Sequence, residues 1–187
     1  MRTVDFFYDL GSPYSYLAAT QLKRLNGLAE VRWRPFLIGG VFKATGNSAP
    51  ATVPAKGPYL FKDLQRLCAF YAVPFAMPKN FPANTLMAMR CLHAVEAEVL
   101  PAISMALFEA YWVEGRDIAD PEVLTDLLGS EVVRLASTDP VKLALKDTTD
   151  EAVMRGAFGA PTMFLEDDMY FGEDRLFLLE HALRKGS

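Results

Sequence analysis

Three short stretches carry residues whose types and spacing could do chemistry. They are Gly11-Ser12-Pro13-Tyr14-Ser15, Gly159-Ala160-Pro161-Thr162 and Gly172-Glu173-Asp174-Arg175. In the first, Pro13 stands where proline is favoured at a helix start, which makes Ser12 the N-cap. A hydroxyl at that point lies at the positive end of a helix dipole and can donate to an anion. In the third, two carboxylates stand at a predicted helix start, where Asp174 can act as a cap. Each has a plain structural reading as well: Ser12 and Asp174 as caps alone, and Pro161 as a trans proline opening a strand.

The elements that must position these residues follow from the apolar pattern. Residues 4–8 are β-branched and aromatic and read as a buried strand. Residues 13–25 carry Tyr16, Leu17, Ala19, Thr20 and Leu22 at helical spacing, and Asn26-Gly27 ends the run. Residues 30–35 alternate and read as a second strand. Residues 37–58, rich in Gly, Pro, Ala and Thr, read as an ordered loop with short helical turns. Helices are predicted over residues 58–71, 84–97, 100–114, 121–128 and 140–158, the last capped by Asp139. Residues 162–165 and 169–171 form a hairpin around Glu166-Asp167-Asp168, and a final helix runs from Gly172 to about Arg184.

The order is therefore β-α-β, a helical stretch, then β-β-α, an α/β chain. With a proline directly before the third strand, it resembles a thioredoxin-like domain with a large inserted all-helical domain. On that resemblance residues 1–36 and 159–187 form the thioredoxin-like domain and residues 37–158 the insertion. Disulfide oxidoreductases of this fold carry Cys-x-x-Cys at the first helix start. This chain has Ser12 and Ser15 there, so dithiol chemistry is unavailable at that place.

The run Tyr8-Asp9-Leu10-Gly11-Ser12-Pro13-Tyr14-Ser15-Tyr16-Leu17 resembles the opening of kappa-class glutathione transferases and bacterial 2-hydroxychromene-2-carboxylate isomerases. So do Arg34-Pro35-Phe36-Leu37-Ile38-Gly39-Gly40, Thr45-Gly46-Asn47, Pro54-Ala55-Lys56-Gly57-Pro58-Tyr59, Phe158-Gly159-Ala160-Pro161-Thr162 and Phe171-Gly172-Glu173-Asp174-Arg175-Leu176. The blocks keep their order across nearly the whole chain. The resemblance implies glutathione as cofactor and Ser12 as the catalytic residue that hydrogen-bonds its sulfur. A free thiol, with a pKa of about 8.5, is mostly protonated at neutral pH, and a donor at a helix N-terminus favours the thiolate.

The resemblance further implies a cis bond before Pro161, with the Ala160 backbone pairing the cysteinyl part of the peptide. Glu173 and Asp174 match the segment holding its γ-glutamyl end, although the position of Glu173 varies in the family. Lys56 matches a partner for the glycyl carboxylate, and Asn47 reaches the sulfur or the substrate. Lys43 is a candidate for a substrate carboxylate. Turn and surface roles are the competing readings for Asn47, Lys56 and Lys43. Phe81-Pro82 stands where the naphthalene-pathway isomerases carry polar substrate contacts. The implied activity is a reversible isomerisation of an aromatic-pathway compound. A conjugating transferase acting on electrophiles is the alternative, and a non-catalytic glutathione-binding or chaperone-like protein is the third reading. A homodimer is implied by the same resemblance.

Bulk properties narrow the field. The chain has 187 residues, 51% of them apolar, and a net charge of -4. Scattered basic residues argue against a nucleic-acid surface. No apolar run is long enough to span a membrane, and no secretory signal opens the chain. Two cysteines, Cys68 and Cys91, are too few for a disulfide framework and point to a reducing, cytoplasmic setting. No metal-ligand spacing involves His93 or His181, and the cysteines read as core residues, as do the pairs Phe70-Tyr71 and Tyr111-Trp112.

Overall fold

The computed structural model describes residues 2–185, so residues 1, 186 and 187 of the domain ranges above lie outside the described residues. Strand β1 (Arg2–Tyr8) runs parallel to β2 (Ala29–Pro35) and antiparallel to β3 (Thr162–Leu165), and β3 pairs antiparallel with β4 (Asp168–Phe171). The sheet order is β2-β1-β3-β4. A strand covered on both faces needs a continuous apolar run, and residues 4–8 are buried throughout. The polar member, Asp5, is held at 2.8 Å by both Arg32 and Arg155.

Helix α1 (Pro13–Gln21), continued by a 3₁₀ turn over Leu22–Leu25, joins β1 to β2. Seven helices separate β2 from β3: α2 (Ile38–Thr45), α3 (Gly57–Tyr71), α4 (Leu86–Leu92), α5 (Leu100–Trp112), α6 (Pro121–Leu128), α7 (Ser130–Leu135) and α8 (Asp139–Met154). A 3₁₀ turn over Glu173–Arg175 leads into α9 (Leu176–Lys185). The α/β class and the β-α-β, helices, β-β-α order are those read from the sequence.

Aromatic rings join sheet to helices. Phe6 stacks on Tyr8 at 5.1 Å, and Tyr8 meets Phe108 of α5 at 5.8 Å while bonding Ser104 at 2.5 Å. On the other face Phe7 contacts Phe36 and Phe164. The Trp112 indole N–H donates to the Leu10 carbonyl at 2.9 Å and so ties α5 to the chain leaving β1.

Several elements depart from the sequence reading. Residues 37–58 hold a regular helix, α2, whose N-cap Leu37 makes no side-chain cap bond and whose first turn contains Gly39-Gly40; both features hid it. The short α7 went unread. The cap of α8 is Thr138, in extended conformation, and Asp139 lies inside the helix paired with Lys142 at 2.9 Å. Phe70 is 80% exposed and not core, whereas Tyr111 and Trp112 are wholly buried.

Candidate active site

The site starts where β1 ends. Asp9 is wholly buried and its carboxylate accepts from the Gly11 N–H (2.8 Å), the Ile38 N–H (2.8 Å) and the Thr85 hydroxyl (2.9 Å). One side chain thus fixes the turn before α1, the start of α2 and the start of α4. Burial pushes its pKa up, against those three hydrogen bonds.

Ser12 follows in extended conformation as the N-cap of α1. Its Oγ accepts from the Ser15 N–H at 3.1 Å and donates to the Ala160 carbonyl at 3.0 Å. The Ala160–Pro161 bond is cis. One hydroxyl therefore joins the first and second of the chemistry-bearing stretches. Ser15 is buried and its Oγ has no partner.

A cavity of about 660 Å³ opens at this point, lined by Ser12, Asn47, Lys56, Ala160, Glu173 and Asp174 among others. Of the residues singled out from the sequence, Lys43 and Pro161 are not in the lining. Lys43 lies in the last turn of α2, exposed. Ile38, Phe42, Phe158 and Phe171 give the cavity apolar walls, and the Phe158 and Phe171 rings meet at 4.4 Å. Gly159 backs onto Phe171, and a Cβ there would stand 2.8 Å from the ring.

The polar lining is not symmetric. Among the described residues Lys56 is the single cation of the lining, against Asp63, Glu173 and Asp174. The Asn47 amide N–H donates to the Phe158 carbonyl at 2.8 Å, and its carbonyl oxygen accepts from the Ser48 N–H at 2.9 Å. Asp174 pairs with Arg175 at 2.6 Å. Gly172, with φ at +97°, takes a left-handed turn that suits glycine and leads into that pair.

Tyr14, Asp63 and Tyr71 escaped the sequence reading, and Glu173 was named there without a role for its side chain. The Glu173 side chain is 3% exposed and accepts from the Tyr71 hydroxyl at 2.8 Å. Burial raises the Glu173 pKa, and the same burial raises Tyr71 to about 12. The Tyr14 hydroxyl donates to Asp63 at 2.8 Å, and burial followed by that bond raises its pKa too. Asp63 and Tyr71 lie two turns apart on α3, on the flank of its apolar stripe. That placement was the one signal available, since Tyr71 and Glu173 are 102 residues apart.

Away from this cavity, Cys68 and Cys91 are free and buried, and burial raises the Cys91 pKa to about 11. His93 bonds the Pro35 carbonyl at 2.8 Å, and burial lowers its pKa. No described helix is long and apolar enough to cross a membrane.

Comparison with known proteins matches residues 3–184 to the DSBA-like thioredoxin domain. The chain belongs to this family of DsbA-like thioredoxin proteins. Within it the chain is similar to two kinds of relative that carry other names. Glutathione S-transferase kappa 1 of Homo sapiens is 35% identical, over 97% of this chain and 91% of the relative. The 2-hydroxychromene-2-carboxylate isomerase of Pseudomonas putida is 34% identical, over 96% and 93%. A solved 2-hydroxychromene-2-carboxylate isomerase superposes with a TM-score of 0.87 at 31% identity, covering 98% of this chain and 95% of that one. Where DsbA-like relatives that work through dithiols need two cysteines, this member has Ser12 and Ser15.

Proposed function

We propose that the chain is a glutathione-dependent isomerase similar to 2-hydroxychromene-2-carboxylate isomerase, with Ser12 holding the glutathione sulfur ionised. The observation that carries this reading is the Ser12 hydroxyl, at the start of α1, on the wall of a cavity large enough for a peptide and an aromatic body. The donor set fits glutathione, a peptide with a carboxylate at each end and one ammonium. Lys56 suits the glycyl carboxylate and Asp174 the ammonium. Glu173 is turned to the Tyr71 hydroxyl, which donates to its carboxylate at 2.8 Å, and burial raises its pKa.

When bound, glutathione would supply a thiolate for reversible addition to a substrate double bond, the π bond breaking as the C–S bond forms and re-forming, after rotation, as the thiolate leaves. The residues of this chain set the conditions. The Ser12 hydroxyl hydrogen turns from the Ala160 carbonyl toward the sulfur, and the α1 dipole adds to the favourable field. The Ala160 carbonyl, released from Ser12, accepts an amide N–H of the peptide. Asn47 orients the substrate side, and Lys43 meets a substrate carboxylate at the rim. Ile38, Phe42 and Phe158 exclude water from the aromatic body.

The second reading, a kappa-class transferase that leaves glutathione on an electrophile, is favoured by the equal likeness to the human kappa protein. Both readings carry a cytoplasmic homodimer and treat the helices between β2 and β3 as an insertion, residues 37–158; a part in aromatic-compound catabolism goes with the isomerase.

Incubation of the chain with glutathione and 2-hydroxychromene-2-carboxylate separates the readings. Isomerisation is expected with no loss of free glutathione, and Ser12→Ala should lower turnover about 100-fold, the scale of a lost donor to developing charge. Consumption of glutathione with chlorodinitrobenzene, and no isomerisation of the chromene, selects the transferase. Absence of glutathione binding in calorimetry contradicts both and favours the chaperone-like reading.

A further inference from the structure

A second cavity, about 330 Å³, lies between α2, α4 and α8. Helix α2 separates it from the main one. Ile38 and Phe42 line the main cavity, whereas Leu37, Gly40 and Ala44 line the second. At 100° per residue these stripes lie roughly 145° apart on the helix.

Its walls combine apolar side chains with an excess of positive charge. Leu86, Leu145 and Val153 supply the apolar part; Arg90, Lys142 and Lys146 face a single carboxylate, Asp150. The lysines already have partners: Lys146 pairs with Asp150, and Lys142 with Asp139 at 2.9 Å. Arg90 has none. Among the described residues it joins no ion pair, and its Nε is buried without a hydrogen-bond acceptor. A buried charged donor without an acceptor is costly, and a guanidinium fork matches a carboxylate in two parallel bonds.

We propose that this cavity is a binding site for a small organic anion, a monocarboxylate with a short apolar body. The carboxylate sits on Arg90, with Lys142 and Lys146 supplying long-range attraction, and the body packs against Leu86, Leu145 and Val153. The volume lies at the lower end of the range of small-molecule sites, which limits the body to about one ring. Nothing in this site is shared with the glutathione site except the helix between them, so both can be filled at once.

Benzoate is a suitable probe for the full chain. Calorimetry should show saturable binding that persists in saturating glutathione. Methyl signals of Leu86, Leu145 and Val153 should shift while that of Ile38 stays. Arg90→Met should weaken benzoate at least tenfold, and Lys56→Gln should leave it unchanged. If Arg90→Met fails to fold, Leu86→Trp fills the cavity without touching a charge and should abolish binding. Shifts confined to the main cavity, displacement by glutathione, or no saturation would each overturn the proposal. Inorganic phosphate binding as tightly as benzoate would overturn the assignment to an organic anion. A chain that takes benzoate at Arg90 but binds no glutathione would sink the proposed isomerase and leave this site standing.

Discussion

The two walls of the main cavity are built in opposite ways. One wall comes from the start of α1 and the turn after β4, with Asp9 behind it: Asp9, Ser12 and Glu173 are 0%, 5% and 3% exposed, and every one is held by hydrogen bonds to parts of the chain distant in sequence. The other comes from α2 and the segment after it, where Asn47 and Lys56 are exposed. Asn47 is tied at a single distant point, the Phe158 carbonyl. The buried wall presents the Ser12 hydroxyl in a fixed place. The exposed wall can vary without disturbing the core.

The largest effect expected from breaking the buried wall is at Asp9. Asp9→Ala strips acceptors from three donors at once and should destabilise the fold by about 3–5 kcal/mol, read by urea denaturation. Ser12→Ala acts next, on turnover more than on stability: losing the cap bond to Ser15 should cost about 1 kcal/mol. On the exposed wall, Lys56→Gln should raise KM for glutathione about fivefold with kcat kept, as suits loss of one exposed charge contact. An equal loss at Ser12 and Lys56 would erase the contrast between the walls.

Glu173 sharpens the comparison through pH. Burial raises its folded pKa above the unfolded value near 4.5, so the folded chain keeps this proton to higher pH. Its contribution to stability therefore falls as pH rises from about 4.5 through the folded value. Glu173→Gln keeps an acceptor for Tyr71 and removes the charge. It should raise Tm at pH 7 and leave Tm unchanged near pH 4, as calorimetry would show. The smallest effect is expected at Lys43, outside the lining: Lys43→Ala should leave glutathione KM unchanged and raise substrate KM no more than about threefold. A larger rise would place the substrate further along α2 than the cavity extends.

The contrast also explains what the sequence disclosed. Strand β1 was legible because burial on both faces demands the unbroken run Val4 to Tyr8, apart from Asp5. The Ser12 cap was legible because Pro13 follows it. Helix α2 was not, since Gly39-Gly40 lowers helix propensity and no polar cap precedes it; tertiary contacts stabilise it instead, through the Ile38 N–H on Asp9 and the Leu37 N–H on Thr149. The helix begins one residue earlier than read, with Pro140 at its second position, so Asp139 falls inside it and Thr138 takes the cap position without a side-chain cap bond. Phe70 read as core from its aromatic neighbour, yet it lies on the outer face of α3. In the site, Ser12, Asn47, Lys56, Ala160, Glu173 and Asp174 were nameable because they sit in short motifs. The pairs Tyr71–Glu173 and Tyr14–Asp63 were not, because α3 brings its two members to the site only through the tertiary fold.

The central claim concerns the charge on one sulfur atom. Ultraviolet titration of bound glutathione, following thiolate absorbance in the wild type and in Ser12→Ala, tests it most directly. The sulfur in the wild type should ionise well below the free value of about 8.5, and in Ser12→Ala its pKa should climb back toward that value. Identical titrations in the two proteins would contradict the account.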